Sequence, residues 1–220
     1  TWVLLANYGD ATMMHDKFFK DLAAEMGMDY VASSGWVNLY YDGEYRGVYL
    51  LSEKNAIGSG AIDITDLEAA YEAANEGYGE NMTTETGNNK YGQEIQFTTG
   101  LTDPDNISGG YLIELNHSMW DEASGFKTKK GVAFNVKSPE WLSESAMRYI
   151  SEYYQAFEDA VYATDSNGIY TGYNAETGKY YYDYVDADSL VKIFLIQELG
   201  LNPDGFISSL YFYKDADGKM

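Results

Sequence analysis

Apolar positions recur with two different periods along the chain, and the switch between them lays out the expected elements. Trp2-Val3-Leu4-Leu5-Ala6 is an uninterrupted apolar run of strand length. From Asp10 to Met26, the residues Met13, Met14, Phe18, Phe19, Leu22, Ala23 and Met26 keep three- and four-residue spacing, which predicts a helix closed by Gly27. Val37 to Tyr41 and Glu44 to Leu51 are β-rich runs joined by Asp42-Gly43, the dipeptide favoured by a type I′ hairpin turn. Residues 65–75 have helical spacing. Residues 76–106 are rich in Gly, Asn and Thr, and only Glu94-Ile95-Gln96-Phe97 resembles a strand, so this stretch is expected to be an irregular surface excursion within an insertion spanning 68–108.

Strands are expected at 110–115 and 132–136, and Ser138-Pro139 then introduces a helix over 141–162. Between Gly168 and Tyr184, aromatic and polar residues alternate around Asn174 to Gly178, the pattern of a second hairpin. Asp186 or Asp188 caps a helix that runs to Leu199, with Gly200 as its stop, and a strand follows at 208–214. Strands and helices mix without regular βαβ alternation and without a fixed repeat, which predicts a single α+β domain. Its sheet is expected to be mixed or antiparallel, with helices 141–162 and 186–199 packed together as a helical lobe. The chain opens inside a strand-like run and ends as Asp215 to Met220 begins to return from a turn, so both termini read as cut from a longer polypeptide.

Composition narrows the function classes. With 35 acidic against 14 basic residues and a formal net charge of −21, the surface repels phosphate backbones and anionic lipid; nucleic acid and bare membrane are not expected partners. No apolar run reaches the ~18 residues of a membrane span. Cysteine is absent, which removes disulfides, thiolate metal sites and a cysteine nucleophile. A cysteine-free chain rich in Tyr, Asn, Asp and Gly has the composition of an exported bacterial protein, secreted or held at the cell surface. No Walker, dinucleotide, nucleophile-elbow or zincin motif is present, and the two histidines, His15 and His117, are too few for a polyhistidine metal site. What remains is carboxylate and lysine chemistry. Asn202-Pro203-Asp204-Gly205 has the residue order of a type I turn, and it equally describes an aspartate held on a stiff junction where it accepts a hydroxyl proton. Asp215 and Asp217 resemble half a calcium loop, for which a hairpin turn is the better account.

Three separated segments, in order, resemble the CotH (spore coat protein H) family of atypical kinases. They are the hairpin Asn38 to Glu53, then Gly109-Gly110-Tyr111-Leu112-Ile113-Glu114-Leu115 followed by Val136-Lys137-Ser138-Pro139-Glu140, then Asp188 to Lys214; Trp2 to Gly27 also fits the family's opening. The resemblance implies a pared-down protein-kinase-like domain that uses ATP and Mg to phosphorylate protein serine. By it, Asp204 is the candidate catalytic base, and Lys54, Lys137, Glu53 and Glu114 are the candidate nucleotide-binding residues. Ser209 stands where many members place an asparagine metal ligand, and His15-Asp16 stands where the first helix commonly carries Arg-Asn. The family's tryptophan- and aspartate-containing metal-binding segment is expected beyond Met220, so residues 1–220 alone are expected to be inactive. The other reading is a non-catalytic Tyr-rich module that binds surface polysaccharide or protein. Tyr181, Tyr182 and Tyr184 then form a stacking platform, whereas Tyr180-Tyr181-Tyr182 in an alternating strand is also a cross-strand packing row.

Overall fold

The computed structural model describes residues 1–220. The chain is α+β and divides into two compact units, one of residues 1–63 with 188–202 and the other of residues 64–187 with 203–220. No helix is long and apolar enough to cross a membrane.

In the first unit, β1 (Trp2–Leu5), β2 (Ser34–Tyr41) and β3 (Glu44–Glu53) form an antiparallel sheet of order β1-β3-β2. The β2–β3 turn has φ of 52° at Asp42 and 75° at Gly43, the left-handed pair that a type I′ turn requires. Helix α1 (His15–Glu25) begins where the Asp10 carboxylate accepts the His15 N–H at 2.9 Å. It ends in a Schellman motif, with Gly27 N–H donating to the Ala24 carbonyl and Met28 N–H to that of Ala23. Lys192 Nζ donates to the Gly27 carbonyl at 2.9 Å, placing a cation at the negative end of α1. Lys192 belongs to α4 (Ala187–Leu199), whose end differs from the expectation. The left-handed residue is Leu201, φ 46°, not Gly200. Gly200 is fixed by packing instead, since a Cβ there would lie 3.1 Å from Cζ of Phe19.

The second unit is built on a six-stranded antiparallel sheet of order β11-β6-β8-β7-β5-β4. Its strands are β4 (Thr84–Asn88), β5 (Glu94–Thr98), β6 (Tyr111–Asn116), β7 (Gly125–Lys127), β8 (Ala133–Ser138) and β11 (Leu210–Lys214). Alternation along β6 and β8 turns Tyr111, Ile113, Phe134 and Val136 to one face, where they join Leu67, Tyr71, Ile95, Phe126, Met147 and Ile150 in the core. Helix α3 (Glu144–Tyr162) contributes Ala146, Met147 and Ile150 to that core, and Ser143 caps it by accepting the Ala146 N–H at 3.2 Å. Helix α2 (Leu67–Ala74) supplies Leu67 and Tyr71.

Three expectations are corrected. Residues 76–106 are not an irregular excursion: β4 and β5 pair there, and Ile95 and Phe97 are buried in the core, as is Tyr71 earlier in the stretch set aside as an insertion. Backbone pairing makes Thr84–Asn88 a strand although its side chains carry no apolar alternation. The two long helices do not share a compact unit: α3 belongs to the second and α4 falls in the first. The second hairpin shrinks to β9 (Tyr173–Asn174) against β10 (Lys179–Tyr180), and Tyr181–Asp183 turn into a short 3-10 helix as the Tyr180 N–H donates to the Asp183 carboxylate.

Candidate functional site

The polar face of the six-stranded sheet gathers two of the expected site residues. Glu114 lies on β6 directly opposite Tyr211 of β11 on one side and Asn135 of β8 on the other. Tyr211 Oη donates to Glu114 Oε1 at 2.9 Å, and Lys137 Nζ lies 3.7 Å from Glu114 Oε2. Lys137 also donates to Glu122, which no sequence pattern marked. Gln96 of β5 explains how Glu122 arrives. Its Nε2 donates to the Glu122 carbonyl at 2.7 Å and to that of Ala123 at 3.2 Å, pinning the β6–β7 connection over the sheet. Gly125 lets this connection approach, because a Cβ there would stand 2.6 Å from the Met119 carbonyl oxygen.

The electrostatics follow from this placement. Burial by itself lowers the affinity of the Lys137 amine for its proton, but the hydrogen bond to Glu122 and the charges of Glu122 and Glu114 outweigh it and raise its pKa. The ammonium is therefore firmly charged. Burial pushes the Tyr211 phenol up to about 12, and its bond to the Glu114 carboxylate adds to the rise, so Tyr211 acts as a donor at neutral pH. Asn135 is fully buried beside Glu114, and neither its amide nitrogen nor its oxygen has a protein partner. Such an amide leaves its N–H donors and its carbonyl oxygen open to a water or a ligand atom.

The Gly109-Gly110 pair that precedes β6 also has a physical cause. A Cβ on Gly109 would fall 1.7 Å from the Ala216 backbone nitrogen, and one on Gly110 would fall 2.6 Å from the Thr65 carbonyl oxygen. Asp215 closes the same junction by accepting the Thr65 N–H at 3.0 Å. The glycines thus fix where β11, and with it Tyr211, meets Glu114.

The remaining expected residues lie elsewhere. Ser209 is exposed just before β11, with φ of 59°, and its N–H donates to the Leu115 carbonyl at 2.9 Å. Asp204 is exposed in the preceding turn, where its backbone carbonyl accepts the N–H groups of Ile207 and Ser208 at 2.9 and 3.0 Å. Glu53 and Lys54 belong to the first unit. Glu53 ends β3 and accepts the Ser33 N–H at 3.2 Å, while Lys54 is exposed and its backbone N–H donates to the Thr1 carbonyl. No group of three His, Asp or Glu side chains able to hold a metal ion is present. Glu114 and Glu122 do converge, but on an ammonium. The residues present therefore do not make a metal site, and no chemical step is derived through one.

The sequence model of the family described as CotH kinase protein matches residues 1–220, the whole of the chain. No curated protein and no solved structure matches it.

Proposed function

The chain belongs to the CotH family, and from that membership we propose that it is the phosphate-handling part of an exported bacterial kinase that transfers the γ-phosphate of ATP to protein serine. A kinase-like function is supported at the level of the family. The observation that carries the finer reading is the Lys137–Glu114 pair on neighbouring strands β8 and β6, braced by Tyr211. Phosphoryl transfer asks a protein mainly for positioned charge, and a lysine held in place by a glutamate on a rigid sheet supplies it. In this reading Lys137 faces the nucleotide phosphates, Glu114 orients its ammonium, and Asp204 accepts the proton of the serine hydroxyl. The ammonium now shares two carboxylates, so binding of a polyphosphate exchanges the Glu122 contact for a phosphate oxygen.

Two measurements test this reading. Calorimetric titration of the protein with ATP should give a 1:1 isotherm that Lys137→Met abolishes and Asp204→Asn leaves unchanged. In the full-length protein that carries these residues, Asp204→Asn should lower serine phosphorylation by roughly 100-fold, the scale of a lost positioned base. ATP binding untouched by Lys137→Met, or phosphorylation untouched by Asp204→Asn, refutes the assignment of that residue.

A further inference from the structure

The segment between α3 and α4 holds five tyrosine rings at the surface of the second unit. Tyr170, Tyr173, Tyr180, Tyr181 and Tyr182 keep between 37 and 68 % of their area exposed. Four of them touch in a chain. The Tyr173 and Tyr180 ring centroids are 5.0 Å apart, Tyr180 and Tyr182 lie parallel within 5° at 5.2 Å, and Tyr181 meets Tyr182 edge-on at 5.3 Å. The contiguity comes from the turn at Tyr181–Asp183, since a continuous strand would have sent Tyr181 to the opposite face from Tyr180 and Tyr182.

The array is held rather than loose. The side-chain amide of Asn174 donates to the Ala156 carbonyl of α3 at 3.0 Å, and its oxygen accepts the Glu176 and Thr177 N–H groups. Tyr181 N–H donates to the Gly172 carbonyl, and Gly172 has no Cβ because one would sit 2.9 Å from the Tyr181 ring. Buried Tyr184 and Val185 anchor the far end, with Tyr153 Oη donating to the Tyr184 carbonyl at 2.7 Å. Rings fixed in this way lose little freedom when a ligand covers them.

Charge decides what the array suits. Between Gly168 and Tyr184 the charged side chains are Glu176, Lys179 and Asp183, and each is engaged within the domain. Glu176 takes the Tyr91 hydroxyl and lies 3.7 Å from Lys90 Nζ, Lys179 lies over the Tyr184 ring, and Asp183 caps the Tyr180 N–H. What the five rings offer outward is aromatic face and phenol hydroxyl, flanked by one basic and two acidic side chains that keep partners within the domain, on a chain of net charge −21 that repels anions. We propose that this tyrosine array is a binding site for a neutral polysaccharide, whose pyranose C–H faces stack on the rings while its hydroxyls bond the phenols. The site shares no residue with the sheet face around Lys137.

Affinity electrophoresis tests it, with native gels containing barley β-glucan, xylan, glucomannan or hydroxyethylcellulose, and anionic carboxymethylcellulose for comparison. The protein should be retarded in at least one neutral gel. The double variant Tyr180→Ala/Tyr182→Ala should lose about tenfold or more of that affinity, and Tyr182→Phe should keep most of it, because the ring carries the stacking. These side chains are exposed, so thermal midpoints of the variants should match that of the parent. Retardation in no neutral gel, retardation only by carboxymethylcellulose, or retardation unchanged in the double variant overturns the proposal. So does tyrosine-dependent binding of a proline-rich dodecapeptide in place of every glycan.

Discussion

Replacing Leu201 by glycine should stabilise the protein although it removes a large apolar side chain. Leu201 is the left-handed residue of the Schellman motif that ends α4: its N–H donates to the Glu198 carbonyl and that of Asn202 to the Gln197 carbonyl. An L-residue with a Cβ in this conformation costs roughly 1–2 kcal/mol, and glycine relieves that cost. The side chain is 85 % exposed, so little burial is given up. Glycine also loosens the unfolded chain, which takes back about 0.4–1 kcal/mol. A net gain of about 0.5–1 kcal/mol is expected, visible as a higher urea midpoint at unchanged slope. Leu201→Ala is the deciding control, because alanine keeps the Cβ and therefore the backbone cost. If alanine stabilises as much as glycine, the effect belongs to the lost exposed leucine and the backbone argument fails. A lowered midpoint for Leu201→Gly refutes it outright.

Gly109→Ala should destabilise the second unit by about 3 kcal/mol, at the upper end for overpacking, because the added carbon lands on the Ala216 backbone and no rotamer can move it aside; a urea midpoint within error of the parent would contradict this. Hydrogen bonds from the His15 N–H and the Thr12 hydroxyl hold the Asp10 carboxyl at about 2, below its ordinary 3.8. A depressed folded value means the stabilisation is present above about pH 4 and is lost as pH falls through about 2. Circular dichroism across that window should show Asp10→Asn with a shallower acid dependence than the parent, and identical curves would remove Asp10 from the account.

Legibility in the sequence followed locality. The β2–β3 hairpin, β6, β8 and α3 were readable because each carries a local signal: Asp42-Gly43 sets the turn, 110–115 and 132–136 are strand-like runs, and Ser138-Pro139 leads into a helical run. β4 was not, since Thr84–Asn88 owes its conformation to pairing with β5 and not to its side chains. The same division runs through the candidate site. Glu114 and Lys137 stood out through the family resemblance, and strand register then put them on one face. Glu122 reaches Lys137 only because Gln96, distant in sequence, fixes the connection that carries it. Asn135 looked like any polar residue of an alternating strand, and only its burial without a protein partner sets it apart. Gly200 is expected as the helix stop, but its lack of a side chain makes room for Phe19, and the left-handed residue at that end is Leu201.

The division of the chain has a consequence for how such a domain is inherited and handled. The backbone passes from one unit to the other at residues 63–64, 187–188 and 202–203. No single cut releases either unit intact: a break after residue 63 strands α4 with the wrong partner, and a break after 187 removes α4 from one unit and β11 from the other. Exchange of either unit between relatives by recombination would therefore need matched breakpoints at all of these crossings. A shortened version designed from one unit must carry a new linker in place of the excised segment.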